Sequence, residues 1–178
     1  MDPNLQLEEY VDVVNEQDEL IRTMPLLEVR RIGFEELAQN GEYVRAICAF
    51  LKNSKGQLWI PRRCEAKKVF PLALDIGISG FVSAGETYPD AFVREAAEEA
   101  NIDVRTMKTK HLGLLHPRTG SGCFTDAYEI ASDETPNYNR DDFCDSYWLY
   151  PQEVLEMLPQ ERPVKRGLPV AMKTFYSQ

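Results

Sequence analysis

The feature that most constrains the fold of this chain is a loop bracketed by glycines that runs directly into a helix, between Gly80 and Ile102. Gly80 and Gly85 suit a tight loop after a strand, because glycine adopts backbone conformations that other residues avoid. Pro89 and Asp90 suit the first turn of a helix. Small or apolar side chains fill five further positions of that helix: Ala91, Val93, Ala96, Ala97 and Ala100. The segment therefore predicts a strand, a loop and a helix that packs closely against a sheet.

Three glutamates of this helix share one face, because Glu95, Glu98 and Glu99 are spaced i, i+3 and i+4. Like charges at that spacing, with Cβ atoms roughly 5–6 Å apart, destabilise a bare helix by roughly 0.2–0.5 kcal/mol per pair. A bound cation would reverse the sign of this interaction, and oxygen-only ligands favour Mg²⁺ or Mn²⁺ over zinc or copper. The alternative is a solvated acidic face, which is what charge runs usually are. The adjoining glycine loop favours a metal site over a solvated acidic face.

Arg94 and Glu86 flank the glutamates at offsets that favour a supporting role. On a helix, Arg94 points about 100° away from Glu95. Its guanidinium could then pair with Glu86 or Glu98 and hold the loop onto the helix.

The bulk composition excludes some classes of function. The chain has 178 residues, 43% of them hydrophobic, which is enough for one domain with a real core. A net charge of −9 argues against broad nucleic-acid binding, and an anionic substrate would need local cations or a metal. The N-terminus is acidic and has no apolar run, which argues against a signal peptide and a membrane span. Four cysteines without a CxxC pair predict reduced thiols in a cytosolic protein rather than a zinc site: Cys48, Cys64, Cys123 and Cys144.

Apolar periodicity and turn signals predict an order of strands and helices typical of a layered α/β domain. The predicted strands are Tyr10–Val14, Leu20–Arg22, Tyr43–Leu51, Gln57–Arg63, Ala73–Ser79, Lys110–Leu115, Cys123–Ile130 and Ser146–Tyr150. The predicted helices are Leu26–Gln39, Pro89–Ala100, Pro151–Leu158 and Pro169–Phe175. A polar loop is predicted over Ser132–Phe143.

The segment that starts at Gly80 resembles the Nudix box, G-x5-E-x7-R-E-U-x-E-E-x-G-U, where U is a bulky aliphatic residue. The matching positions are Gly80, Glu86, Arg94, Glu95, Glu98, Glu99 and Ile102, with Ala96 as a small occupant of an apolar position. Asn101 stands where the family usually has glycine, and asparagine is the next-best residue for the positive φ that ends such a helix. The resemblance implies an α/β/α sandwich with a mixed β-sheet and the Nudix helix at about 90–101.

The resemblance also implies roles for the box residues. In the family, the box glutamates bind one to three divalent ions, which polarise the diphosphate and lower the pKa of an attacking water. The implied ligands are Glu95, Glu98, Glu99 and the carbonyl of Gly80. Glu86 and Arg94 would be catalytic-site supports that orient those ligands. The general base would be a box glutamate or an acid from a later loop, with five candidates: Glu95, Asp133, Glu134, Asp141 and Asp142.

A second stretch, Trp59–Pro71, is similar to the corresponding stretch of isopentenyl-diphosphate isomerases and their Nudix relatives. Its basic residues are candidates for binding the substrate's phosphates, although a surface basic cluster is the alternative: Arg62, Arg63, Lys67 and Lys68. Strand alternation means that Arg62 and Arg63 cannot both face the site.

The isomerase chemistry itself does not carry over. Those enzymes place a catalytic cysteine just before the box glycine and a metal-binding histidine just after it, where this chain has Ser79 and Phe81. Tyr43 and Arg45 occupy the region where the preceding strand of the isomerases carries histidines. The sequence therefore predicts hydrolysis on an isomerase-like Nudix scaffold.

We therefore expect a single Nudix hydrolase domain over residues 1–178, in which residues 1–40 form an N-terminal hairpin and helix extension. The expected activity is Mg²⁺-dependent cleavage of a diphosphate linkage in a nucleoside diphosphate or a derivative of one, with Mn²⁺ as a second candidate ion. The expected protein is cytoplasmic, binds a small nucleotide-like molecule and no membrane, and is compatible with a homodimer.

Three alternatives stay open: an ADP-ribose or nucleotide-sugar pyrophosphatase, an isopentenyl-diphosphate isomerase-like protein, and a non-catalytic nucleotide-binding Nudix module. Pro117 lies near the position where ADP-ribose-cleaving members carry a proline, but a turn explains it as well. Intact acids at the three ligand positions argue against a pure binding module. Five aromatic residues are candidates for stacking on a base, although most strand aromatics are core: Tyr43, Phe81, Phe124, Tyr128 and Trp148.

Overall fold

A computed structural model describes residues 8–161 and 163–177. The strands are β1 (Tyr10–Val14), β2 (Leu20–Pro25), β3 (Tyr43–Lys52), β4 (Leu58–Arg63), β5 (Ile78–Phe81), β6 (Thr109–Leu115), β7 (Phe124–Ala131) and β8 (Phe143–Leu149). The helices are α1 (Leu26–Ile32), α2 (Phe34–Gln39), α3 (Tyr88–Ala100), α4 (Pro151–Met157) and α5 (Gly167–Phe175). Short 3₁₀ turns cover Val104–Thr106 and Pro117–Thr119.

Strand β3 lies at the centre of an eight-stranded mixed sheet. It pairs antiparallel with β1 and β5 and parallel with β7. Strand β6 extends the sheet beyond β7, while β4 follows β3 in a hairpin and pairs with β8. Ile47 of β3 lies opposite Gly80 of β5. The glycine loop therefore starts beside the central strand.

The side chains of β3 alternate between two cores. Ile47, Ala49 and Leu51 pack into one cluster with the apolar face of α3. Cys48 and Phe50 point to the opposite face, where they pack with residues of α4 and α5. Alternation along a strand sends successive residues to opposite faces, so helices cover both sides of the sheet. The predicted α/β/α sandwich with a mixed sheet is confirmed.

The N-terminal hairpin braces the loop that precedes α3. The backbone N–H of Gly85 donates to Asp12 of β1 at 3.0 Å. At the tip of the hairpin, Asp18 accepts from the Tyr88 hydroxyl at 2.9 Å and from Arg45 at 2.6 Å. These contacts tie β1, β3 and the first turn of α3 together.

The N-terminal helix and the last strand differ from the predicted bounds. The helix predicted over Leu26–Gln39 is interrupted at Gly33, whose φ of 94° ends α1 and begins α2. Glycine adopts that conformation without a steric penalty. The predicted strand over Ser146–Tyr150 begins earlier, because Phe143 lies opposite Arg63 in the β4–β8 ladder.

The prediction of a strand over Ala73–Ser79 is wrong for most of its length. The ladder-paired strand is β5, and the preceding buried run makes only isolated bridges at Leu74, antiparallel to Arg62 of β4 and parallel to Val164. The N–H of Leu74 donates instead to the carbonyl of Pro163 at 3.1 Å, and the N–H of Lys165 donates to the carbonyl of Leu74 at 2.9 Å. A short apolar run does not distinguish such a buried crossing from a strand.

The cysteines divide into two buried and two accessible thiols. Burial raises the pKa of Cys48 and of Cys123 to about 12. Cys64 is partly exposed and Cys144 is exposed.

We therefore expect two of the four thiols to react with a disulfide reagent at pH 8 in the native protein, because the thiolate is the reactive form and needs access to solvent. All four should react in denaturant. Absorbance titration with and without denaturant measures both numbers, and rapid labelling of Cys48 or Cys123 in the folded protein would contradict the burial.

Candidate active site

Helix α3 is fixed at both ends by capping residues. The Thr87 side chain accepts from the N–H of Asp90, and the Asp90 carboxylate accepts from the N–H of Thr87, which completes a capping box. At the other end Asn101 adopts φ 53° and ψ 38°, and its N–H bonds back into the last turn. The prediction that Asn101 takes the positive φ of the usual glycine is confirmed.

Gly80 gives the Glu95 carboxylate its place against β5. A Cβ atom at position 80 would coincide with that carboxylate. Glu95 is only 8% exposed, and burial raises its pKa. Glycine is therefore required at position 80 for space rather than for an unusual backbone angle.

Arg94 links the loop to the helix through several carboxylates. Its guanidinium donates twice to Glu86, at 2.8 and 2.9 Å, and once to the carbonyl of Phe81, at 2.9 Å. The hydrogen bonds from Arg94 lower the pKa of Glu86. Arg94 also donates to Glu95 at 2.6 Å and lies 3.5 Å from Glu98. The predicted pairing with Glu86 or Glu98 thus occurs with both, and with Glu95 as well.

The remaining two box glutamates differ in exposure. Glu99 accepts from the backbone N–H of Ser79 at 2.8 Å, and burial raises its pKa to about 8. The side chain of Glu98 is 60% exposed. Of the three box carboxylates, Glu95 is therefore buried, Glu99 is partly buried and Glu98 is accessible.

The donor chemistry of these residues fits a divalent cation. All the side-chain donors are carboxylate oxygens, which Mg²⁺ and Mn²⁺ prefer. Burial opposes the ionisation of Glu95 and Glu99, and a cation would offset that cost. Within residues 8–161 and 163–177, no three His, Cys, Asp or Glu side chains already surround one cation position. The ligand roles stay a prediction.

Comparison with known proteins decides the family. A family model described as the NUDIX domain matches residues 42–168. The chain belongs to the Nudix hydrolase family. It is 39% identical over 170 residues to an uncharacterised Nudix hydrolase of Nostoc, covering 95% of this chain and 96% of that protein. It is 38% identical over 176 residues to a Nudix hydrolase of Deinococcus radiodurans, covering 96% of each.

Solved structures agree with this assignment. A crystal structure of a protein from Deinococcus radiodurans matches with a TM-score of 0.82 at 36% identity, covering 94% of this chain and 99% of that chain. A MutT protein from Methanosarcina mazei matches with a TM-score of 0.56 at 17% identity, covering 75% and 92%, and shares the fold. The protein is therefore a hydrolase of a family that acts on pyrophosphate bonds in small nucleotide-like substrates and generally uses divalent metal ions. In the described part of this Nudix chain, no helix is long and apolar enough to span a bilayer.

The four basic candidates of the Nudix chain lie in different settings. Arg62 donates to the carbonyl of Leu72 and to Glu161, both at 2.9 Å. Arg63 turns to the buried carboxylate of Asp75 at 3.0 Å. Lys67 and Lys68 lie in the segment after β4. Lys67 forms an ion pair with Asp142, and Lys68 is exposed. Arg62 and Arg63 thus contact different carboxylates, and the phosphate-binding roles of the four basic residues stay a prediction.

The acids of the polar loop are also dispersed. Asp133 accepts from the N–H of Ser54 at 2.7 Å and borders a depression of about 420 Å³ just beyond the end of β3. Ser54 lies seven residues past Ile47, the partner of Gly80, which is roughly 20 Å along an extended chain. Asp133 is therefore remote from the box. The exposed Glu134 and Asp141, the paired Asp142 and the buried Glu95 stay candidates for the base.

Most of the aromatic candidates are core residues. Tyr43, Phe124 and Tyr128 are all less than 10% exposed, and Tyr128 stacks on Phe92 at 4.2 Å between ring centroids. Phe81 and Trp148 are partly exposed. Pro117 is buried at the start of a 3₁₀ turn, as expected of a turn residue.

Three polar residues near the box were not foreseen from the sequence. Lys165 donates to Asp75 at 3.0 Å and to the hydroxyl of Ser79 at 2.7 Å. The sequence marks Ser79 only as the counterpart of the isomerase cysteine. Lys165 and Asp75 meet through the crossing of residues 73–77 over the C-terminal segment, and no local sequence pattern marks that contact.

Proposed function

We propose that this Nudix hydrolase cleaves a diphosphate linkage in a nucleoside diphosphate or a derivative of one, with Mg²⁺ as its ion and Mn²⁺ as a substitute. The observation that carries the proposal is the arrangement of Glu95 and Glu99 against β5 beside the accessible Glu98, with Gly80 kept free of a side chain. A bound divalent ion supplies a polarised phosphate and a water of lowered pKa.

Each group of residues then has a proposed role in binding the ion, orienting its ligands or binding the substrate. Glu95, Glu98, Glu99 and the carbonyl of Gly80 are the proposed ligands. Arg94 holds Glu86 and Glu95 in place through its hydrogen bonds. Because Glu98 is exposed, its side chain can turn toward an ion without disturbing the core. Arg62, Arg63, Lys67 and Lys68 are the proposed phosphate-binding cations in a chain of net charge −9.

We also propose that residues 1–178 act as one cytoplasmic domain. The contacts of Asp12 and Asp18 with the loop and first turn of α3 support inclusion of residues 8–40 of the N-terminal extension in that domain, while residues 1–7 of the predicted extension lie outside the described residues. The four free cysteines support a reducing compartment.

The test is a panel of nucleoside diphosphates, nucleoside triphosphates, ADP-ribose and nucleotide sugars, incubated with Mg²⁺, with Mn²⁺ or with a chelator. We expect release of phosphate or nucleoside monophosphate with either ion and none with the chelator, because the carboxylates alone cannot activate water. Preferred cleavage of ADP-ribose or a nucleotide sugar would select the pyrophosphatase alternative.

The same experiment, extended to isopentenyl diphosphate, distinguishes the proposed hydrolase from the other two alternatives. Binding of nucleotides without any turnover would favour a non-catalytic module. Conversion of isopentenyl diphosphate to dimethylallyl diphosphate would favour the isomerase-like alternative, although Ser79 replaces its cysteine. Either result would overturn the proposed hydrolysis.

A further inference from the structure

Asp75 is a buried carboxylate that accepts hydrogen bonds from two cationic side chains. It is 1% exposed, and its Oδ2 atom accepts from Arg63 and from Lys165, each at 3.0 Å. Its Oδ1 atom accepts from the backbone N–H of Ile76 at 2.8 Å. One negative and two positive charges leave the cluster with a surplus of one positive charge. A buried anion with this many partners is a fixed anchor.

Lys165 connects this cluster to the Nudix box. Its ammonium also donates to the hydroxyl of Ser79 at 2.7 Å, and the N–H of Ser79 donates to Glu99 at 2.8 Å. The charge of Lys165 opposes the effect of burial on the pKa of Glu99. The excess positive charge of the Asp75, Arg63 and Lys165 cluster therefore lies close to the proposed metal ligand Glu99. The residue that connects them, Ser79, directly precedes Gly80 in the sequence.

The exposure of the two partners shows which of them can reach a ligand. The side chain of Lys165 is 29% exposed, whereas that of Asp75 is 1% exposed. An ammonium group has three donors, and Asp75 and Ser79 take two of them. Lys165 is thus held in one place while part of its side chain stays accessible.

We propose that Lys165 binds a phosphate group of the substrate next to the carboxylates of Glu95 and Glu99, with Asp75 and Ser79 holding its ammonium in position. This inference rests on the proposed function, because it assigns the binding of the diphosphate at the same site. An anchored cation has little conformational entropy left to lose when an anion binds. In a chain of net charge −9, such a cation offsets the repulsion that an anionic substrate meets.

The alternative role for Lys165 is structural, since its backbone N–H also joins the C-terminal segment to Leu74. Lys165→Met keeps that backbone bond and most of the side-chain volume but removes the charge. Lys165→Arg keeps the charge. Lys173→Met, at an exposed position of α5, is the matched control.

The experiment measures two affinities on each variant: that of methylenediphosphonate in the presence of Mg²⁺, by calorimetry, and that of Mn²⁺ alone, by electron paramagnetic resonance. We expect Lys165→Met to weaken methylenediphosphonate binding about tenfold or more, with Mn²⁺ binding unchanged or tighter because one nearby positive charge is lost. Lys165→Arg should recover most of the loss, and Lys173→Met should match the wild type.

Unchanged methylenediphosphonate binding in Lys165→Met would overturn this inference and leave the proposed function intact, provided that the wild type hydrolyses a member of the panel. An equal loss of Mn²⁺ and methylenediphosphonate binding would assign Lys165 a structural role and overturn it as well. A wild type that binds no methylenediphosphonate and hydrolyses nothing would overturn both.

Discussion

Replacing either Glu98 or Glu99 by glutamine should lower turnover about 100-fold or more, because each change removes a negative ligand from the proposed ion site. An amide oxygen is a weaker ligand than a carboxylate and does not neutralise the ion's charge. The rates are measured on the best substrate of the nucleotide panel at saturating Mg²⁺. Raising the Mg²⁺ or Mn²⁺ concentration should recover part of the activity if the loss lies in ion binding.

The fold should survive both substitutions, for different reasons. Glu98 is mostly exposed, so an amide there meets water. Burial disfavours the charged form of the Glu99 carboxyl and raises its pKa to about 8, so a neutral amide at this position should cost the metal-free fold little. The amide oxygen of a glutamine can still accept the N–H of Ser79. Melting temperatures of the metal-free variants should therefore lie within about 3 °C of the wild type.

Glu156→Gln is the matched control, since Glu156 is an exposed glutamate on α4. It should keep the wild-type rate and the wild-type melting temperature. Wild-type rates in the variant of Glu98 or of Glu99 would remove that residue from the catalytic machinery. A large fall in melting temperature would instead show that the lost activity reflects misfolding.

The box was predictable because its determinants are local. Spacing along a helix places Glu95, Glu98 and Glu99 on one face before any tertiary contact is known. The helix ends follow from capping chemistry in the same way, as the left-handed Asn101 shows. Short-range geometry of this kind does not depend on how the rest of the chain folds.

Several contacts around the box depend on tertiary structure and were not predictable. The pairing of Arg94 with Glu86 was predicted from the sequence, but its hydrogen bond to Glu95 was not. Asp75 meets Lys165 across 90 residues of sequence. The run at 73–77 resembles a strand in sequence because most of it is buried, whereas its pairing is limited to isolated bridges at Leu74.

Gly80→Ala should impair both stability and activity, because the added Cβ atom would occupy the position of the Glu95 carboxylate. Glu95 is 8% exposed and is held by Arg94 at 2.6 Å, so it cannot move away without breaking that contact. We expect a loss of about 1–3 kcal/mol in the free energy of unfolding. Turnover should fall about 100-fold or more, since a proposed ligand is displaced. Chemical denaturation and steady-state rates measure the two effects.

Gly167→Ala is the control for glycine replacement itself. Its added Cβ atom would make an ordinary contact with Ile76, 3.6 Å from the Cδ1 atom. Gly167 begins α5, and alanine favours a helix over glycine, so this variant should be as stable as the wild type or slightly more stable. An equal loss of stability in Gly167→Ala and Gly80→Ala would show that crowding of Glu95 is not the cause.

A double-mutant cycle tests the cause directly. In the background of Glu95→Ala the carboxylate is gone, so Gly80→Ala should cost little further stability. The stability effects of the two substitutions would then be strongly coupled, because without the Glu95 carboxylate the new Cβ atom at position 80 loses the group that it would clash with. Additive losses would mean that the Cβ atom at position 80 disturbs something other than Glu95, and the role assigned to this glycine would fail even if the glutamates bind the ion.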